Sequence, residues 1–102
     1  MGTDSEMTYS VLMAVYGKEN PEFLRQSIES MLNQTLPFSD FVLVCDGPLS
    51  HELNEVITWA QKQMGEKLQL IRLKENKGLG NALHVGVPRC RCSVIARMDS
   101  DD

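Results

Sequence analysis

A length of 102 residues allows one domain with a real core, at the low end of the usual size. Hydrophobic residues make up 42% and charged residues 24%, an ordinary globular mixture that excludes a disordered chain. The net charge of −4 leaves no basic footprint for nucleic acid, and no apolar run reaches the ~20 residues that span a bilayer.

Residues 1–8 open on an acidic stretch with neither a basic nor an apolar signal region, and read as a disordered tail or a vector-derived remnant. The domain then runs over 9–102. Tyr9 to Tyr16 is a near-continuous apolar run, as for a strand buried on both faces, and Gly17 ends it. Asn20-Pro21 supplies a capping side chain followed by Pro at the first helical position. Leu24, Ile28, Met31 and Leu32 fall on one helical face, and the helix is expected to end near Thr35, before Pro37. Phe41 to Cys45 is a second buried-type strand, closed by Asp46-Gly47-Pro48.

Ser50 is a cap for a second helix, in which Leu53, Val56, Ile57, Ala60 and Met64 share a stripe and Gly65 is the stop. Trp59 lies off that stripe and reads as a partly exposed packing residue. Leu68 to Leu73 makes a third strand, Glu75 to Gly78 a turn, Leu79 to Val87 a short helix closed by Pro88, and Ser93 to Met98 a fourth strand. The three cysteines are odd in number. Cys90 and Cys92 form C-x-C, not the C-x₂-C of a zinc knuckle, and the histidines His51 and His84 lie far from both, so free thiols in a reducing cytosol are the reading.

The order β-α-β-α-β-α-β predicts an α/β fold, a Rossmann-like three-layer α/β/α sandwich with a mainly parallel sheet and helices on both faces. Ligands of such sheets sit outside the carboxyl ends of the strands. Every unusual cluster falls there: Tyr16-Gly17, Asp46-Gly47, Asn76 to Gly80, and the terminal Asp99-Ser100-Asp101-Asp102.

The last cluster crowds three carboxylates into four positions, which is costly unless a cation or a basic ligand neutralises them. Asp99 and Asp101 at i and i+2 project to one side of a strand end. Paired carboxylates are hard ligands for Mg²⁺ or Mn²⁺, which keep positions open for phosphate oxygens. An EF-hand would need a Gly at its sixth position and a distal Glu, and a phospho-acceptor domain would place acids at the first strand; neither is present. Asp46 can accept a hydrogen bond from a ring N–H such as uracil N3, or serve only as a turn residue. Tyr16 offers an aromatic face and a hydroxyl to a base, or packs on the rim of the core. Lys77 meets a phosphate or stays solvated; its Gly-rich surroundings, Asn76 to Gly80, match neither a Walker loop nor G-x-G-x-x-G.

Four segments together, Tyr9–Tyr16, Val42–Gly47, Asn76–Leu83 and Ala96–Asp102, resemble the family 2 glycosyltransferases of GT-A fold, in particular their bacterial exopolysaccharide and amylovoran-biosynthesis group. The likeness spans about residues 9–102. It implies that Ala14, Val15 and Tyr16 hold the nucleoside, that Asp46 reads the uracil, and that Lys77, Gly78, Asp99 and Ser100 line the nucleotide-sugar site. Asp99 and Asp101 would bind a divalent metal, Mn²⁺ or Mg²⁺, with Asp102 beside them. Two departures stand out: the family's Asp-Asp-Gly-Ser is Cys45-Asp46-Gly47-Pro48, and its Tyr-Asn is Tyr16-Gly17.

The resemblance implies an inverting, metal-dependent transferase that moves a sugar from a nucleoside-diphosphate sugar, a UDP-sugar first of all, to a surface polysaccharide or lipid-linked acceptor. It further implies a cytoplasmic protein, peripheral at the inner face of the membrane through sequence after Asp102. The chain stops at the site itself, so it reads as the donor-binding part of a longer protein. The general base is then expected downstream, with no catalytic residue among these positions, and the exposed edge is expected to favour self-association. The rival is a non-catalytic α/β module that binds a nucleotide or Ca²⁺.

Overall fold

The structure, a computed structural model, describes residues 8–99, with the backbone only at Asp99. The tail expected at 1–8 lies outside the described residues apart from Thr8, as do Ser100, Asp101 and Asp102. Four strands, β1 (Ser10–Tyr16), β2 (Asp40–Asp46), β3 (Leu68–Arg72) and β4 (Ile95–Asp99), alternate with three helices, α1 (Pro21–Leu32), α2 (His51–Met64) and α3 (Leu79–Gly86). The sheet is parallel throughout, in the order β3-β2-β1-β4. This is the α/β architecture expected from the alternation.

Residue parity along the two central strands explains the layering. Val11, Met13 and Val15 of β1, with Phe41, Leu43 and Cys45 of β2, face α1 and α2 and pack on Leu24, Ile28, Leu53, Ile57 and Ala60. The intervening Leu12, Val42 and Val44 face the other way and pack on Ala82 of α3. Strands buried on both faces read as unbroken apolar runs, which is why β1 and β2 are legible in the sequence. The chain moves outward from β1 to β3 and then returns to β4 on the far side of β1. A crossover of constant hand then puts the third helix on the opposite face. Gly86 lets α3 come close: a Cβ there would stand 2.5 Å from Leu12 Cδ1 and 3.0 Å from Val44 Cγ2.

The caps follow the sequence. Asn20 Oδ1 accepts the N–H groups of Glu22 and Phe23, and Ser50 Oγ accepts that of Leu53. Gly65 terminates α2 with φ +58. Some boundaries differ from expectation. Helix α1 stops at Leu32, not near Thr35: beyond Met31 no side chain is buried until Phe38, and Gln34 N–H closes back on the Met31 carbonyl at 3.3 Å. Pro88 falls inside a 3₁₀ turn, Val87–Arg89, after α3, and β4 begins at Ile95, after bends at Ser93 and Val94. Trp59 is half-buried, with the Arg25 guanidinium 4.5 Å above its ring.

Candidate functional site

The strand ends at Tyr16, Asp46, Arg72 and Asp99 lie along one edge of the sheet. Tyr16 is paired in register with Asp46, and Ala14 with Asp99. The structure therefore brings the first-strand end, the second-strand carboxylate and the backbone entry to the D-x-D segment together. The remaining acids of that segment lie outside the described residues.

The loops leaving these strands are stacked against one another, and two glycines permit it. A Cβ at Gly17 would meet the Pro48 carbonyl oxygen at 2.7 Å. Two of the three positions at which the sequence departs from the family pattern, Gly17 and Pro48, are thus in contact, and the side chain lost at one makes room for the backbone of the other; the third, Cys45, lies in the core. Gly47 stands at φ +95, and a Cβ there would lie 2.7 Å from the Asn76 nitrogen, so the turn before α3 rests directly on the end of β2.

Each expected side chain among the described residues has a definite setting. Tyr16 is 41% exposed at the carboxyl end of β1, where it can present a ring face. Val15 is 1% exposed and belongs to the core beneath α1 and α2, so only its main chain can meet a ligand. Ala14 is half-buried on the α3 side. Lys77 is exposed and, with Leu73, Lys74, Glu75, Asn81 and Val85, lines an open groove of about 320 Å³.

Asp46, expected from sequence to turn its carboxylate to a base, is 4% exposed, and its two oxygens accept main-chain hydrogen bonds. Oδ1 accepts from Lys77 N–H at 2.8 Å and Oδ2 from Gly78 N–H at 2.9 Å. A carboxylate has about four lone-pair sites, so these two bonds from the described residues take about half of them. Beside it Cys45 is fully buried, and burial pushes its thiol up to about 11, against a weaker opposing pull from Arg72.

The opposite edge carries a polar cluster that the sequence does not reveal. Asp40, fully buried at the start of β2, accepts hydrogen bonds from Ser10 Oγ, from Gln69 Nε2 at 3.2 Å and from Arg91 N–H at 3.1 Å. Cys92 N–H donates in turn to Ser10 Oγ at 3.0 Å. The partners of Asp40 come from β1, β3 and the connection into β4, which no local pattern could foretell. Burial and the charges of Asp40 and Cys92 raise the Cys90 thiol above its ordinary range. Cys45, Cys90 and Cys92 are free thiols, and no group of three metal-ligating side chains occurs among the described residues.

A parallel sheet with helices on both faces and loops stacked at the carboxyl ends of its strands is of the open α/β class, whose ligands sit outside that edge. The solved structures it resembles narrow that class to the GT-A glycosyltransferase fold. A mannosyltransferase from Pyrobaculum calidifontis, determined with GDP-Man and Mn²⁺, superposes with a TM-score of 0.78 at 14% identity, over 91% of this chain and 27% of that one. TarS of S. aureus gives 0.76 at 19% identity, over 92% and 16%. Residues 10–102 match Glycosyl transferase family 2, and the chain belongs to that family. It is 47% identical over 95 residues to the amylovoran biosynthesis glycosyltransferase AmsE of Erwinia amylovora, covering 92% of this chain and 35% of the relative. It is also 34% identical over 100 residues to an Escherichia coli UDP-Gal:alpha-D-GlcNAc-diphosphoundecaprenol beta-1,3-galactosyltransferase, covering 98% and 36%. The chain thus spans about a third of the length of these relatives. No helix among the described residues is long and apolar enough to cross a membrane.

Proposed function

We propose that this chain is the donor-binding part of an inverting, metal-dependent glycosyltransferase that takes a sugar from a nucleoside diphosphate, with UDP the favoured nucleotide. The acceptor would be a growing surface polysaccharide or a lipid-linked saccharide, reached from the cytoplasmic face of the membrane. The observation that carries this reading is the register of the carboxyl edge: Asp99 ends β4 directly beside Ala14, two residues before Tyr16, whose own partner is Asp46.

In this reading Tyr16 stacks on or bonds to the nucleoside, with the main chain of Ala14 and Val15 beneath it. Asp46 keeps lone pairs for the N3–H of uracil, and Lys77 and Gly78 lie toward the phosphates, with Ser100 beside Asp99. The donor set at the end of β4, Asp99 with Asp101 and with Asp102 next to them, contains hard oxygen ligands and no thiol, which fits Mn²⁺ or Mg²⁺. Such an ion, when bound, neutralises charge on the departing diphosphate. The chain's own share is to bind the nucleoside, orient the diphosphate and hold a cationic side chain near it. The base that deprotonates the acceptor hydroxyl is assigned to sequence beyond Asp102, so the chain alone is expected to form no glycoside.

The test is substitution of the metal ligands. Asp101→Asn and Asp99→Asn should each weaken Mn²⁺-linked UDP binding, Asp101→Asn the more, because an amide is a poorer hard ligand than a carboxylate. Unchanged Mn²⁺-linked affinity in Asp101→Asn refutes the metal assignment and returns the non-catalytic nucleotide- or Ca²⁺-binding module as the better reading.

A further inference from the structure

The turn before α3 delivers Lys77 to the open edge, yet nothing in its own residues holds it there. Glu75, Asn76 and Lys77 are exposed, and none is apolar. Gly78 stands at φ +98 and ψ 163, a region essentially reserved for glycine, and no side chain caps α3 from that position. A short polar turn with an exposed backbone lies at the low-stability end of a structure. Its order has to come from outside it.

Asp46 supplies that order. Its carboxylate grips two consecutive N–H groups, those of Lys77 and Gly78, and hydrogen bonds to an ionised acceptor are about twice as strong as neutral ones. Gly47 adds a steric seat, since the Asn76 nitrogen lies where its side chain would be. The end of β2 therefore fixes both the position and the φ/ψ of the turn that carries Lys77.

We propose that Asp46 is a positioning residue for the diphosphate end of the donor: by clamping the Lys77–Gly78 backbone, it holds Lys77 where the phosphates bind. This rests on the donor-site reading above and adds a role that a contact with the base would not give. The sign of the effect separates it from plain electrostatics. An anionic side chain beside an anionic diphosphate repels it, so neutralising Asp46 would tighten UDP if charge alone mattered. A clamp requires the opposite, because Asn presents one acceptor where two N–H groups need partners.

The experiment compares UDP with uridine on the purified chain in saturating Mn²⁺, by calorimetry and by NMR titration, with amide exchange followed at Lys77 and Gly78. Asp46→Asn should accelerate exchange at those two amides and weaken UDP roughly tenfold or more, the scale of one charge-assisted hydrogen bond. Uridine should weaken by a clearly smaller factor. Gly78→Ala, whose Cβ would meet nothing within 4 Å, strains only the backbone of the turn and should show the same pattern. It keeps the test alive if Asp46→Asn does not fold. Lys77→Ala should cost UDP affinity in the native background and much less beside Asp46→Asn, the non-additivity expected of two residues acting as one. Unchanged or tighter UDP binding in Asp46→Asn or in Gly78→Ala overturns the proposal, as does an equal loss for UDP and uridine. If the native chain does not bind UDP in Mn²⁺, the donor-site reading fails and takes this proposal with it.

Discussion

At the amino end of β2, Asp40 is fully buried and bonded to Ser10, Gln69 and the Arg91 main chain, whereas at its carboxyl end the Asp46 side chain is bonded, among the described residues, to the main chain of Lys77 and Gly78, beside an exposed Tyr16. The two carboxylates stand six positions apart on one strand, so they project from the same face, the one that carries Val42, Val44 and α3. Between them that face reads Asp-Val-Val-Asp. The valines seat α3, and each acid ties down the chain at one end of it, Lys77 and Gly78 before the helix and Arg91 after it. The pair shows how one device serves two purposes. A carboxylate whose partners include a buried side chain, Ser10, closes an edge, while one held by two amides ties a loop to the end of its strand, which is the part our proposal gives it beside the donor site.

The comparison breaks if the two acids prove interchangeable. Asp40→Asn should lower the unfolding free energy by roughly 2–4 kcal/mol, because the Ser10, Gln69 and Arg91 donors then face a group that is half donor itself. Asp46→Asn should cost nearer ~1 kcal/mol, its amides lying close enough to the open rim to find water. Denaturant midpoints measure both, and UDP titration of the folded variants should rank them in reverse, with Asp40→Asn binding as the native chain does. Equal destabilisation, or loss of UDP binding in Asp40→Asn, would show that the two ends are not separate in function.

Cys45 sharpens the same comparison, because it shows that the carboxyl end is open above the sheet and closed beneath it. Burial raises its folded-state pKa from 9.0 to about 11. A raised thiol pKa contributes stability that is complete below the unfolded value and is lost as pH climbs through the folded one. Unfolding free energy should therefore fall between pH 9 and 11. The fall should be roughly 2 kcal/mol, since each pH step between the two values is worth up to ~1.4 kcal/mol. Cys45→Ala should flatten that slope in denaturant melts at several pH values. The same slope in the native chain and the variant would contradict a dry seat beneath Asp46.

How much of this is legible in the sequence depends on the range of the interaction. The central strands announce themselves because two-sided burial leaves an apolar run, and Asn20 and Ser50 do so because a cap acts over two or three residues. The end of α1 is misplaced from sequence because Pro37 advertises a stop, while the helix ends at Leu32, one residue past Met31, the last of its buried face. Asp46 is noticeable for its place at a strand end, but its partners lie 31 and 32 residues away. Asp40 is not noticeable at all: an acid at the head of a strand looks like a solvated turn until residues 29, 30 and 51 positions distant are seen to converge on it. The Gly17–Pro48 contact is present in the sequence as two separate oddities, and only the packing of the loops makes them one.

The claim on which the rest depends is that the carboxyl edge binds a nucleoside diphosphate through a divalent metal. Calorimetric titration of the purified chain with UDP, first in Mn²⁺ and then with excess EDTA, tests it most directly. Saturable one-site binding in Mn²⁺ that EDTA abolishes is the result expected. Binding of equal strength in EDTA, or none in either condition, would contradict it.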